Sequence, residues 1–433
     1  MFGLGLAVSA RAEGLWDSYL LARSSDPSYR AAQLTYEADR QKLPQARAPL
    51  LPTLAGSAAR VHVDSEFNYA GDQTFTQEGK AGFYRNEYEI TLSQTLYDHA
   101  KFSVYRQAQT QLGVAELQRQ IAEQELMLRV AARYFGVLAA QDNLDLAVAE
   151  RDALSRQLEL AQARLAVGLG TKTDLFDSQA RFKFADAQVI AARATLDDAR
   201  RALSEVTGRL PAELRRLRRD PVGVPVDVAD REAWLSRALA DNLDLKQARQ
   251  QERVLQQEIS VRNSGHYPYL DFVVSHGKED AAGSIVGPGT DATETDALVR
   301  LTVPILQGGA VVAGAREAEL RYASAQHQSE ARRRSVERDT VTALVDLATG
   351  VEQIEALRQA VIAGESALEA KQEGFAAGLE TNIDVLNAQR DLYRARRDHL
   401  KSRYDYVVNT LRLERLVGAL GEADLQRVDS WLE

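Results

Sequence analysis

Two aspartates, Asp174 and Asp384, occupy the most suggestive positions for chemistry, because each follows a short glycine-containing turn and opens a helix-forming stretch. A carboxylate in the first turn of a helix interacts favourably with the helix macrodipole, and Asp177 is placed to do the same. A ring of carboxylates around a narrow pore acts differently, since it favours cations and is blocked by multivalent ones. Both interpretations stay open until the surrounding elements are known.

The other candidate groups lack the spacing that a reaction or a metal would need. The six histidines show no metal-ligand spacing such as HExxH, and there is no cysteine to ligate a metal. Gly168 and Gly170 are not followed by the Gly-Lys-Thr of a phosphate loop. The net charge of −9 argues against nucleic acid, and the arginines between 215 and 219 are typical of a solvated face. We therefore expect no enzyme activity, no cofactor, no metal and no nucleic-acid partner.

An internal duplication explains why the two aspartates have similar surroundings. Residues 166–179, AVGLGTKTDLFDSQ, align with residues 376–389, AAGLETNIDVLNAQ, about 210 positions later. A second pair of segments, TLSQTLYDHAK at 91–101 and RLTVPILQGGA at 300–310, keeps nearly the same offset. The period is too long for a solenoid unit, so the chain consists of two domain-sized repeats.

Long helices are predicted in each repeat, because no proline lies between positions 53 and 210 or after 304 and both tracts are rich in good helix formers. Apolar and small residues recur there at heptad-like spacing, which favours coiled-coil packing. The turns contain Gly168 and Gly378, which suit the left-handed position that ends a helix. Thr171 or Thr173 in the first turn, and Thr381 in the second, suit the N-cap of a returning helix. Each repeat is thus expected to form a long antiparallel helical hairpin.

Alternating segments predict one β-hairpin in each repeat. In 87–97 and 298–303, apolar residues alternate with polar ones, as in strands with one apolar and one polar face. Their partner strands are expected at 53–65 and 269–276. The predicted boundaries are a signal remnant at 1–12, a first repeat at 13–215 with a β-hairpin at about 52–97 and a helical hairpin at about 98–207, a linker at 208–230, and a second repeat at 231–433 with a β-hairpin at about 268–304 and a helical hairpin at about 310–419.

Four strands per chain cannot close a barrel, and open strand edges are costly in a membrane. Eight strands enclose an interior filled by side chains, whereas twelve strands, from three chains, leave room for a lumen. We therefore predict a homotrimer that shares one 12-stranded β-barrel. The polar side chains that would line its lumen are Glu89, Thr91, Ser93, Arg300 and Thr302.

The chain resembles the TolC family of outer-membrane export channels. The motifs that carry the resemblance are LLPTL at 50–54, TLSQTLYD at 91–98, LTVPILQGG at 301–309 and the paired turns VGLGTKTD and AGLETNID. It covers nearly the whole chain after residue 13. It implies a mainly α-helical fold with a membrane β part, in which the trimeric barrel continues into a long periplasmic α-helical barrel. It also implies an equatorial region, which we place at about 208–230 and 420–433.

Function and partners follow from the same resemblance. Such proteins lie in the outer-membrane lipid of Gram-negative bacteria and extend into the periplasm. They dock on a periplasmic adaptor and on an inner-membrane ABC or proton-driven pump. They export proteins, as in type I secretion, or small toxic compounds, and they catalyse nothing.

The resemblance also implies a periplasmic aperture, closed by the turns of the helical hairpins. It carries the aperture acid onto Asp384, whereas the second acid of many relatives is Asn387 here. Relatives can lock the closed tip by pairing a basic residue with an acid like Asp174, but the basic position holds Glu380, so that pair is expected to be repulsive. Phe375 stands where relatives can use a tyrosine. The turn residues expected to contact the adaptor are Gly168, Leu169, Thr171, Gly378, Leu379 and Thr381.

Two alternatives remain open at this point. A soluble coiled-coil scaffold would explain the heptads but not the alternating segments or the possible signal cleavage site, Ala10-x-Ala12, after the apolar run 2–8. A channel dedicated to multidrug efflux would differ in its cargo. The absence of cysteine argues against the lipidated branch of efflux channels and shifts the balance modestly towards type I secretion.

Overall fold

The computed structural model describes residues 12–67, 79–218, 230–285 and 288–433. The predicted signal segment, apart from Ala12, lies outside the described residues, as do residues 219–229 of the linker predicted at 208–230. Residues 68–78 and 286–287, which fall within the two predicted β-hairpins, also lie outside the described residues.

Helices and strands follow one order in both repeats. The first repeat contains α1 (Leu15–Ser25), α2 (Pro27–Arg40), α3 (Lys42–Arg47), β1 (Thr53–Phe67), β2 (Gly79–Asp98), α4 (His99–Ala166) and α5 (Lys172–Thr207). The second contains α6 (Arg231–Asp241), α7 (Leu243–Asn263), β3 (Tyr269–Ala281), β4 (Thr290–Thr302), α8 (Ala310–Ala376), α9 (Asn382–Leu416) and α10 (Glu422–Asp429). Short 3-10 turns at Ala48–Leu50 and Ser264–His266 precede the first strand of each repeat.

The four strands form one antiparallel sheet in the order β1-β2-β3-β4. The central pair, β2 and β3, joins the two repeats, and a bulge between Thr95 and Tyr97 shifts its register by one residue. The prediction of a mainly helical chain with four strands is therefore confirmed. Strand β2 begins at Gly79, eight positions before the segment whose alternation revealed it.

The chain divides into two compact units that do not coincide with the two repeats. One comprises the described residues within Met1–Thr35, Leu117–Gln247 and Glu330–Glu433. The other comprises those within Tyr36–Glu116 and Ala248–Ser329, and it contains the sheet. Each unit therefore takes equivalent segments from both repeats, and α4 and α8 each contribute to both units. In the described part of the chain, no helix is both long enough and apolar enough to cross a bilayer.

The core of the first unit joins the ends of the chain to the middle of α4. Tyr19 of α1, Tyr134 and Phe135 of α4, Leu411 of α9 and Leu425 of α10 are buried together. Burial costs a hydroxyl its water contacts, but the one O–H of Tyr134 is shared between the carbonyls of Glu13 and Arg215, at 3.0 and 2.9 Å. The segments at 213–218 and 420–433, which we expected in the equatorial region, pack onto this core or beside it.

Candidate functional site

The two helical hairpins end in turns of nearly identical backbone geometry. Gly168 and Gly378 adopt φ of 78° and 75°, in the left-handed region where a side chain is strained. The amides of Leu169 and Leu379 then donate to carbonyls near the ends of α4 and α8, both at 2.8 Å. These bonds satisfy carbonyls that would otherwise lack partners at a helix end, and they let each hairpin turn within five residues.

Both returning helices begin with a capping box. The N-caps are Thr171 and Thr381, whose hydroxyls accept from the amides of Asp174 and Asp384 at 3.0 and 3.3 Å. Each aspartate in turn accepts from the backbone amide of its threonine, at 3.2 and 3.0 Å. Both carboxylates therefore act as capping groups, whatever further role they have at an aperture.

The charge on Asp384 is stabilised by this cap. Hydrogen bonds from the hydroxyl and amide of Thr381 hold the pKa of the Asp384 carboxyl below its ordinary value, and the positive charge of Lys371 acts in the same direction. Asp384 is half-buried as a residue, and its capping hydrogen bonds lie in an exposed position. Asp384 is thus an ionised, accessible acid at the turn of the second hairpin.

Glu380 pairs with a lysine of its own hairpin. Lys371, on the last turns of α8, donates to Glu380 at 2.7 Å, and the contact raises the pKa of the lysine. The acidic substitution is therefore compensated within its own hairpin. The repulsion expected between Glu380 and Asp174 stays a prediction, and it would be reduced by the neighbouring charge of Lys371.

Two other predicted residues make contacts between the hairpins. The guanidinium of Arg164 lies over the ring of Phe375, 4.5 Å from its centroid, so the position that lacks a tyrosine hydroxyl still makes a cation–π contact. Arg181 donates to the side-chain carbonyl of Asn387 at 3.1 Å. Each contact joins a residue of the first hairpin to one of the second.

Asn382, which the sequence did not single out, makes three hydrogen bonds from the second hairpin to the first. It is the first residue of α9, and its relative exposure is 1%. Gln157 of α4 donates to its carbonyl oxygen at 2.6 Å. Its own amide donates to the backbone carbonyl of Asp174 at 3.2 Å and to the hydroxyl of Ser178 at 2.9 Å. The one sequence signal was the repeat itself, in which Asn382 aligns with the exposed Lys172.

The predicted adaptor contacts form an exposed apolar surface at each turn. Leu169 is 73% exposed and Leu379 is 84% exposed, and Val167 beside the first turn is similarly accessible. The other predicted contact residues are the two left-handed glycines and the two N-cap threonines already described. Each turn therefore presents one large aliphatic side chain on a rigid, capped backbone.

The predicted lumen residues share one face of the sheet. On β2, Glu89, Thr91 and Ser93 alternate with apolar residues and so share one face. Ser93 and Thr91 lie opposite Val273 and Ser275 of β3, and the pairing of β3 with β4 places Arg300 and Thr302 on the same face. The full set comprises Glu89, Thr91, Ser93, Arg300 and Thr302. Thr91 also donates to Glu89 along this face, at 2.9 Å.

The opposite face of the sheet is apolar and exposed. Leu54 pairs with Leu92, and Ile90 lies one step along β2 on the same side. Val299 and Leu301 of β4 continue this face, and all five side chains are exposed in the single chain. An antiparallel sheet that is polar on one side and exposes apolar side chains on the other suits a wall between water and lipid.

No group of three or more histidine, cysteine, aspartate or glutamate residues within the described ranges has the geometry to hold a metal ion.

Comparison with known proteins covers nearly the full chain. The family model described as outer membrane efflux protein matches residues 19–209 and 234–419, one segment in each repeat. The chain is 31% identical over 433 residues to outer membrane protein TolC of Vibrio cholerae, covering 99% of this chain and 96% of that protein. It is 33% identical over 436 residues to the alkaline protease secretion protein AprF of Pseudomonas aeruginosa, covering 99% and 89%.

Solved structures show the same fold. The outer membrane channel CmeC of Campylobacter jejuni superposes with a TM-score of 0.80 at 16% identity, over 97% of this chain and 90% of that one.

Proposed function

The chain belongs to the outer membrane efflux protein family, which comprises transport channels, and from this premise we propose that it is the outer-membrane exit duct of a tripartite export system. In this proposal three copies pass cargo from a periplasmic adaptor and an inner-membrane pump to the exterior. The observation that carries the proposal is the four-stranded sheet with one polar face and one exposed apolar face.

The trimer follows from the edges of that sheet. Strands β1 and β4 lie at its two ends, and within the described residues neither pairs with a further strand. Unpaired backbone groups are costly in lipid, so the edges require partners from other chains. Pairing of β4 in one copy with β1 of the next, three times over, gives the predicted twelve-stranded barrel. The apolar face then meets lipid, and the five polar residues line the lumen.

Protein cargo is the form of this function that we favour. The Pseudomonas relative is a protein of alkaline protease secretion, and it is 33% identical over nearly the whole of the present chain. Export of small toxic compounds is the second candidate, and the description of the matched family as efflux proteins supports it. In both cases the inner-membrane partner is a pump, an ABC transporter for protein cargo or a proton-driven pump for small compounds.

We assign the periplasmic aperture to the turns of the helical hairpins. Three copies of Asp384 would form a ring of ionised carboxylates, because the cap of Thr381 keeps the pKa of this acid low. Asn387 adds no charge, and Glu380 is offset by Lys371. The ring is therefore expected to depend chiefly on one acid per chain, Asp384, onto which the resemblance carries the aperture acid.

We assign the adaptor contact to the same turns. Leu169 and Leu379 expose aliphatic side chains that nothing in the single chain covers to any large extent. The two glycines and the two threonines keep the backbone of each turn fixed, so that these side chains are presented at defined positions. The adaptor is thus expected to bury one leucine from each hairpin.

The native mass of the protein extracted from outer membranes tests the proposal. A detergent-dependent particle near three times the chain mass of 47.8 kDa would support a shared barrel in the outer membrane of a Gram-negative cell. Conductance across a planar bilayer would then establish the pore. A water-soluble monomer or dimer would favour a coiled-coil scaffold instead.

A further inference from the structure

We propose that Asn382 is the latch residue by which the two helical hairpins of one chain hold each other beside their turns. This inference deepens the proposed function and rests on it, since a latch matters only if the turns close an aperture. Asn382 touches no cargo in this account. It is a positioning residue that sets how readily the hairpins separate.

Both the oxygen and the nitrogen of the Asn382 side-chain amide form hydrogen bonds. The carbonyl oxygen accepts from Gln157, while the amide nitrogen donates both to the backbone of Asp174 and to the hydroxyl of Ser178. One side chain of α9 is thereby tied to α4 and α5 together. Separation of the hairpins would break all three bonds at once.

Burial makes these bonds matter. Asn382 and Ser178 are almost completely inaccessible, and Val385, Leu386 and Gln389 beside them on α9 are buried too. Buried polar groups cannot bond to water while the hairpins are together. Removal of one hydrogen-bond partner therefore leaves the other buried groups without a partner. The exposed capping bonds of Asp174 and Asp384 do not share this property, because water can replace them.

The neighbouring contacts form a short seam on both sides of Asn382. Leu386 packs with Leu154 of α4 and Ala185 of α5. The contact of Arg164 with Phe375 lies towards the turns, and that of Arg181 with Asn387 lies further along the returning helices. Asn382 is the buried member of this seam that binds both helices of the first hairpin through hydrogen bonds.

The duplication supplies a matched control. Lys172 occupies the same first position of α5 that Asn382 occupies in α9, yet its side chain is exposed. Substitution at either position changes the first residue of a helix that follows a threonine N-cap. Only substitution at Asn382 removes contacts with the other hairpin.

The absence of cysteine from the chain permits a direct test. Ala185, which is buried in the seam, is replaced by cysteine as a single reporter, and the rate of its reaction with a maleimide is measured on the protein in outer membranes. In this background Asn382→Ala is expected to speed labelling by roughly tenfold, the change in opening equilibrium that corresponds to one lost buried hydrogen bond. Lys172→Ala is expected to leave the rate unchanged.

A second variant separates hydrogen bonding from packing. Asn382→Leu keeps nearly the same volume but has no polar atom, and it is also expected to label fast. Slow labelling of this variant would overturn the proposal, as would equal rates for Asn382→Ala and the unsubstituted reporter, or an acceleration by Lys172→Ala as large as that by Asn382→Ala.

Conductance and native mass distinguish a failure of the latch proposal from a failure of the proposed channel function. Resting conductance in planar bilayers is expected to rise in Asn382→Ala while the native mass stays that of the trimer. Fewer trimers with an unchanged labelling rate would mean that Asn382 serves assembly alone, which contradicts the latch. If the reporter protein forms no detergent-dependent trimer and no pore, the proposed function fails, whatever the labelling rates are.

Discussion

A capping carboxylate and a pore-lining carboxylate can be one and the same group. Asp384 accepts hydrogen bonds from Thr381, which fixes its position, and it remains ionised and exposed to solvent. Sequence alone could place the acid after a turn, because cap motifs are local in the chain. It could not show that Lys371 offsets Glu380, since that pair depends on the path of the backbone around the turn.

Asp384→Asn removes the negative charge but can keep the cap, because the asparagine oxygen can accept a hydrogen bond from the same backbone amide. Block of the channel by a trivalent cation from the periplasmic side is expected to weaken by roughly tenfold, since the ring loses all of its acidic charge. Current recordings over a range of blocker concentrations measure this. Asp346→Ala, which removes an exposed acid from α8, serves as the control. An unchanged block would remove Asp384 from the aperture.

The low pKa of Asp384 also predicts how cation block depends on pH. A carboxylate whose pKa is depressed keeps its charge as pH falls through the ordinary value of 3.8, and loses it only below. Block is therefore expected to stay constant from neutral pH to about pH 4. Titration of the blocked current tests this, with Thr381→Ala as a comparison that should move the loss of block to higher pH. A loss of block near pH 6 would point to a different titrating group.

Local sequence signals predicted the helices, strands and turns well, but they did not predict how these elements pack against each other. The two turns, the four strands and the long helices follow from glycine, proline and apolar spacing, and the structure contains all of them. The side-chain contacts of Asn382 were not predictable in this way, because its partners lie on α4 and α5, more than two hundred residues away in the chain. The repeat alignment also did not predict the compact units, each of which combines segments of both repeats.

The left-handed turns can be tested against a helical glycine. Gly378→Ala is expected to lower the stability of the protein by about 1–2 kcal/mol, because φ is 75° and a Cβ is strained there. Gly136→Ala, in α4, meets no atom within 4 Å and should instead stabilise the helix by about 0.5–1 kcal/mol. Unfolding in denaturant measures both. Equal effects of the two substitutions would mean that the turn geometry is wrong.

The two faces of the sheet give a matched pair on β2. Ile90 lies on the apolar face and Thr91 on the polar face, one residue apart. Ile90→Arg is expected to destabilise the protein in a bilayer by about 2–4 kcal/mol if it lies near the midplane, whereas an arginine in the lumen is tolerated. Folding into lipid vesicles measures the difference. Thr91→Arg should fold normally and shift ion selectivity towards anions, and the reverse pattern would exchange the two faces.

The whole molecule was predictable in outline because three independent signals agreed. The duplication, the alternating strands and the turn motifs all favour a channel subunit, and the family match spans both repeats. The number of chains and the partners are not encoded in any local pattern. In the proposed function they depend on strand edges and exposed leucines, and the groups that complement these would belong to other molecules.

Leu169→Ser together with Leu379→Ser is expected to weaken adaptor binding and export by at least roughly tenfold, since each change removes apolar area from the contact. Export of cargo by cells and co-purification with the adaptor are the measurements. The trimer should persist, because both leucines are exposed at the turns. Leu320→Ser, at an exposed position on α8, provides the control, and equal effects of the two changes would place the adaptor elsewhere.

The difference between Lys172 and Asn382 has an evolutionary consequence. Three copies of a duplicated chain would contain six helical hairpins of nearly equal backbone, arranged with sixfold pseudosymmetry. A hexamer of a single repeat could have the same arrangement. Because the two copies of the turn now differ in sequence, contacts within one chain and contacts between chains are encoded at separate positions. Mutation can therefore loosen one class of contact and keep the other, a freedom that a ring of six identical subunits does not have.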